Sequence, residues 1–265
     1  MTDINIDAVS GFRRRIRIAA EPARVCAELE DDFHCMGVRL HHDGTLVTAI
    51  EPVMARAPWA TCPGAVEVLQ QTFVGIPLTA FVRRGEKAAN CTHLHDLALL
   101  AAAHAFDAAP LSYDILVSDP NEGRQSAQLR RNGTAVLSWE FLNGQIIEPK
   151  ELMGVGLDKM RPWIDALDPP SQEMARLLRW ASMVAHGRTI SWDGKPTRDL
   201  IGSGRCYSFQ PQKLDQIKRV GVIRDFSHGG EQPLAYSPLA APQAHHIVNS
   251  KRGDCSRGYA GRRTR

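Results

Sequence analysis

From Arg13 to Ile18 the chain reads Arg-Arg-Arg-Ile-Arg-Ile, and the apolar–charged alternation at its end predicts an edge strand with long charged side chains in water. Glu21 and Pro22 open a short extended or helical piece through Leu29. From His34 to Ile50 two period-two runs flank Asp43-Gly44, a strong short hairpin signal. In the first of these runs residues 34, 36, 38 and 40 share one face, so His34 stands above a core row of Met36, Val38 and Leu40.

The period then changes. Pro63 to Phe73 carries apolar residues at 65, 66, 68, 69 and 73, which is helical spacing, with Pro63 suited to a first turn and Gly75 as terminator. A short strand over 78–84 follows. Leu94, Leu97, Ala98, Ala101, Ala102 and Ala105 make a clear helical stripe, with Thr92 as the expected N-cap. Past Pro110 come strands over 113–118, 126–131 and 134–139, with Asn132-Gly133 and Asn143-Gly144 as turns, then a short strand over 145–147. Helices are predicted over 157–167 and 171–186, a strand over 206–209 and a short helix over 211–219.

These elements predict an α+β fold: an antiparallel sheet with helices packed on one face, followed by a smaller β-hairpin and helical region. The expected domains are 1–110, 111–226 as a cover over the site, and a disordered basic tail over 227–265. With 43% hydrophobic and 23% charged residues the chain has a soluble globular composition. No apolar run approaches a membrane helix and no secretory signal opens the chain, so a cytoplasmic location is expected, with no membrane partner. The formal charge of +3 is concentrated in the tail, where Lys251, Arg252, Arg257, Arg262, Arg263 and Arg265 face only Glu231 and Asp254. The remainder is slightly acidic, so no nucleic-acid partner is expected.

Six cysteines (26, 35, 62, 91, 206, 255) without a CxxC pair or an export signal argue against a disulfide framework, a zinc ribbon and thioredoxin-like chemistry. Cys91-Thr92-His93-Leu94-His95-Asp96 concentrates a thiol, two imidazoles and a carboxylate at the mouth of a helix. Asp31-Asp32-Phe33-His34 and Thr61-Cys62-Pro63-Gly64 bring ligand types to two further element ends. Such residues suit zinc or ferrous iron, and the expected ligands are His34, Cys62, Cys91 and His93, with Asp32 beside them. His95 and Asp96 are the candidate proton movers, although Asp96 also suits the positive end of a helix dipole. A thiolate–imidazole pair from Cys91 or Cys62 with His93 or His34 is a rival nucleophile. GxGxxG, GxxxxGK[ST] and GxSxG are all absent.

The pattern His34-x-Met36-x-Val38-Arg39-Leu40-x-x-Asp43, then Cys62, then Cys91-Thr92-His93-Leu94 with Asp96, resembles an uncharacterised bacterial domain-of-unknown-function family over about residues 12–109. That family implies no activity. The order of strands, glycine turn and two cysteine-headed helices also resembles iron–sulfur scaffold proteins of the NifU N-terminal type, with Asp32, Cys62 and Cys91 on its acidic and two of its cysteine positions. This chain departs from the scaffold at Glu30, where the first cysteine would stand, and at Asn90, where a histidine would precede the last. The resemblance therefore implies a NifU-like core with a mononuclear site in place of a transferable cluster.

Function is expected to be that of a metal-dependent lyase or hydrolase acting on a small carbonyl- or carboxylate-bearing substrate, aromatic ones included, with a second copy of the chain as a candidate partner. Trp139, Phe141, Trp163, Trp180 and Trp192 are candidates for the pocket wall or, more simply, for core. The alternatives are a metal or iron–sulfur carrier acting through protein partners, and an interaction module with inert cysteines.

Overall fold

The computed structural model describes residues 8–83, 86–190, 204–227 and 230–240. Trp192 and residues 241–265 of the expected tail lie outside them. Eight strands, β1 (Gly11–Glu21), β2 (Arg24–Asp31), β3 (Cys35–His42), β4 (Val47–Arg56), β5 (Leu111–Ser118), β6 (Arg124–Arg131), β7 (Thr134–Leu142) and β8 (Gln145–Glu148), form one sheet in the order β4-β3-β2-β1-β5-β6-β7-β8. Its hairpin pairs β2–β3, β3–β4, β5–β6, β6–β7 and β7–β8 are antiparallel. The α-helices are α1 (Ala65–Phe73), α2 (Thr92–Ala103), α3 (Arg161–Asp165) and α4 (Pro169–Ala185). A mixed α and β architecture on an antiparallel sheet is thus as the periodicity predicts.

Two compact units interleave along the chain. The first comprises Ile16–Leu111, Gly194–Ile223 and Leu234–Arg265; the second comprises Met1–Arg15, Ser112–Asp193 and Arg224–Pro233. In the first, register explains the core. Val25 pairs with Leu40, Ala27 with Val38 and Leu29 with Met36, while Ile50 and Met54 of β4 extend the same rows. Because side chains alternate across a strand, all of these lie on one face of the sheet. Helix α2 packs on β2 and β3, and α1 packs on β4. Leu94, Leu97, Ala98 and Ala101 of α2 are fully buried, as are Leu69 and Phe73 of α1. The other face is charged, and residues 234–239 lie against it: Glu30 accepts from the Leu234 N–H at 2.7 Å, and Glu28 accepts from the Ser237 hydroxyl. Gly37 leaves room for Leu239 there, since a Cβ would come within 2.7 Å of that side chain.

In the second unit, Asn132-Gly133 and Asn143-Gly144 all have positive φ (49° and 83°, 50° and 78°), the geometry of the mirror-image two-residue hairpin turns that Asn-Gly favours. Helix α4 begins at Asp168, whose carboxylate accepts the Ser171 N–H and satisfies one of the orphan donors of the first turn. Trp139 is fully buried and meets Phe141 and Trp163 edge-on at ring separations of 6.4 and 6.5 Å. Trp139 and Phe141 are thus core of the second unit, with Trp163 half-buried beside them.

Several local expectations give way. Strand β1 is internal in the strand order, and Arg13 and Arg14 are 5% and 1% exposed. Charge does not enforce an edge when the guanidiniums find partners: Arg14 lies 4.3 Å over the Trp180 ring, Arg15 pairs with Asp114, and Arg13 donates to the Val9 carbonyl at 2.7 Å. Residues Leu78–Arg83 and Tyr207–Phe209 form 3₁₀ turns in place of strands. Cys91, rather than Thr92, is the N-cap of α2.

Candidate metal centre

Asp31, at the end of β2, governs the turn into β3. Its Oδ1 accepts the N–H groups of Phe33 and His34, both at 2.8 Å, so the side chain substitutes for a backbone turn. The same oxygen lies 3.0 Å from His34 Nδ1. His34 Nδ1 and the Asp31 carboxylate therefore face each other closely enough to offer ligand atoms to one ion. Arg56 of β4 locks the turn from outside. Its guanidinium donates to the carbonyls of Asp32 and Asp31, both at 2.6 Å, to that of His34 at 3.2 Å, and to Glu30 Oε1 at 3.0 Å.

Helix α2 delivers the second imidazole. His93, in its first turn, stacks on His34 with ring centroids 3.7 Å apart and 26° between planes. Asp31, His34 and His93 are all buried, and each offers a ligand atom within 4.8 Å of the others. Two imidazoles and a carboxylate are borderline-to-hard donors suited to zinc or ferrous iron, and three protein ligands leave coordination positions for water or substrate. The donor set therefore fits a metal ion.

Of the residues singled out by sequence, His34 and His93 come together. The carboxylate that joins them is Asp31, whereas Asp32 contributes its carbonyl to Arg56. Asp31 was findable: the inward row Val25, Ala27, Leu29 continues to residue 31 by period two, once 24–31 is recognised as a strand.

Cys62 and Cys91 are not in this group. They belong to a neighbourhood of free thiols with Cys206, where Ser208 Oγ donates to Cys62 Sγ at 3.3 Å and the Tyr207 N–H donates to the Asn90 carbonyl at 2.9 Å. Burial pushes all three thiols up, that of Cys91 to about 12, and outweighs the favourable N–H groups of His93 and Leu94 at the helix start. Burial thus favours the protonated thiol of Cys91, which disfavours the nucleophile reading. Cys26, unlike these three, is disulfide-bonded, whereas the spacing of the cysteines argues against a disulfide framework.

His95 is 1% exposed and its ring lies 5.1 Å from that of Phe73, between α2 and α1. Asp96 pairs with Lys87 at 2.5 Å. Neither is part of the Asp31, His34 and His93 group. No protein-family model matches the chain, and no curated protein matches it. Among the described residues no helix is long and apolar enough to cross a membrane.

Proposed function

We propose that the chain is a metal-dependent enzyme of lyase or hydrolase type, with Asp31, His34 and His93 as ligands of a zinc or ferrous ion, acting on a small carbonyl- or carboxylate-bearing substrate. The observation that carries this reading is the buried imidazole–imidazole–carboxylate trio itself. When bound, the ion supplies Lewis acidity toward a substrate oxygen. The protein's part is positional: Asp31 Oδ1 holds the turn through the N–H groups of Phe33 and His34, and Arg56 clamps the carbonyls of the same turn. Arg219, whose guanidinium lies 5.6 Å over the ring of Phe33 and 5.4 Å over that of Trp59, is a cation near the same turn and suits a substrate carboxylate.

The domain-of-unknown-function and NifU-like resemblances stay within this proposal as a description of the N-terminal core, with substrate as the primary partner and the cytoplasm as the working compartment. A carrier of iron–sulfur clusters is the less favoured alternative, because cluster ligation calls for thiolates and the trio has none. Elemental analysis of the purified chain beside His34→Ala and His93→Ala is the test. About one metal per chain, lost in both variants while the fold is retained, supports the reading; a metal-free parent that takes up neither zinc nor iron removes it.

A further inference from the structure

The charged outer face of β2, β3 and β4 in the first unit has the chemistry of a peptide groove. Register sets Glu28 opposite Gly37 and Gly37 opposite Val53, with Cys26 opposite Arg39 in the next row and Glu30 opposite Cys35 in the one beyond, so these positions share one face. Residues 234–239 fill it. The Leu234 N–H donates to Glu30 at 2.7 Å, while the Ser237 hydroxyl and, at 3.4 Å, the Leu239 N–H donate to Glu28. Arg39 in turn donates to the Leu239 carbonyl. Carboxylates thus receive the segment's N–H groups and a guanidinium its carbonyl, all in charge-assisted form. The side chain of Leu239 is buried against Cys26 and Val53, in the notch that Gly37 leaves by lacking a Cβ.

The way the segment enters the groove differs from the way it sits there. Leu234 has a φ of 58°, a left-handed conformation that a residue with a side chain rarely adopts. Rotation about its N–Cα bond redirects the chain before it and leaves residues 235–239 where they are. The strain therefore comes from the direction in which the same chain must arrive, and the groove contacts do not require it. A segment delivered from another molecule keeps those contacts without the strain. A second copy of this chain carries the identical segment and the identical groove, so two copies fit each other reciprocally, as in domain swapping.

We propose that this groove is an interaction surface for a second copy of the chain, the two copies exchanging residues 234–239. Within one molecule the tethered segment competes at high effective concentration, so exchange grows as protein concentration rises. Light scattering of the full chain from micromolar to millimolar concentration is expected to show monomer giving way to dimer. Calorimetry with the acetylated peptide Leu-Ala-Tyr-Ser-Pro-Leu-Ala, the sequence of residues 234–240, reads the groove itself. Leu239→Glu displaces the chain's own segment but leaves the groove intact, so it should bind the peptide at least about tenfold more tightly than the parent does and form no dimer. Leu239→Ala, a milder truncation, should shift both readouts the same way by less. Gly37→Val also displaces the segment but fills the notch, so it should neither bind peptide nor dimerise. A parent that stays monomeric into the millimolar range overturns the proposal. So does a Leu239→Glu chain that takes up no peptide, or equal peptide affinity in Leu239→Glu and Gly37→Val. Neither result bears on the metal centre, which is tested by metal content alone.

Discussion

Two neighbourhoods in the first unit carry the residues that single this chain out, and they differ in how their polar atoms are treated. Around the turn from β2 to β3, Asp31, His34 and His93 are buried but wired: Asp31 Oδ1 alone takes three contacts of 3.0 Å or less. Around Cys62, Cys91 and Cys206 burial outweighs the hydrogen bonds that each sulfur accepts, which pushes the thiols toward the protonated form. Ligand-type residues in a sequence are therefore not equivalent. The wired group could hold a metal ion, whereas the thiols, whose burial outweighs their hydrogen bonds, behave as small hydrophobes.

The largest effect should come from the clamp that makes the first neighbourhood rigid. Arg56→Ala removes a guanidinium that is 13% exposed from a Glu30 carboxylate that is 6% exposed, and it frees three turn carbonyls. Loss of about 3 kcal/mol in urea unfolding is expected, because a buried charge is left behind. Asp31→Asn is the sharper probe of chemistry. The amide oxygen can still accept the turn N–H groups, so the fold should lose about 1 kcal/mol or less, while metal affinity measured by calorimetry falls roughly 10- to 100-fold.

The thiol neighbourhood should respond differently. Cys91→Ala is expected to cost about 1 kcal/mol, a small-side-chain loss in the core, with metal content unchanged. Its pH behaviour has a fixed sign. Because the folded-state thiol of Cys91 is raised to about 12 from an ordinary value near 9, its burial contributes stability fully below pH 9 and loses it as pH rises toward 12. Chemical denaturation of the parent should thus weaken across that window, with a shallower decline in Cys91→Ala. Alkylation of Cys91 in the native chain should be slow at pH 8 and keep rising about tenfold per pH unit without levelling below pH 10. Early levelling would place a thiolate in the second neighbourhood and dissolve the contrast.

Much of the fold was legible because its signals are local. Asn132-Gly133 and Asn143-Gly144 need no tertiary help to favour tight turns, and the apolar stripe of α2 fixes which side meets the sheet. What failed depends on partners distant in sequence. Arg13 and Arg14 suggest an edge until Trp180 and neighbouring groups provide for buried guanidiniums. Leu78 and its neighbours have strand-like alternation, but the Ala80 N–H turns back to the Pro77 carbonyl and the segment closes into 3₁₀ turns. At the site, residue types near His34 and His93 pointed to a metal, yet the choice between Asp31 and Asp32 rests on strand phase, and the grouping of Cys62 and Cys91 with Cys206 spans more than a hundred residues.

The most direct measurement is metal stoichiometry, by elemental analysis, of four folded proteins purified in parallel: the parent, His93→Ala, Cys62→Ala and Cys91→Ala. The account predicts about one zinc or iron in the parent and in both cysteine variants, and close to none in His93→Ala. Metal retained in His93→Ala but lost from either cysteine variant would contradict it.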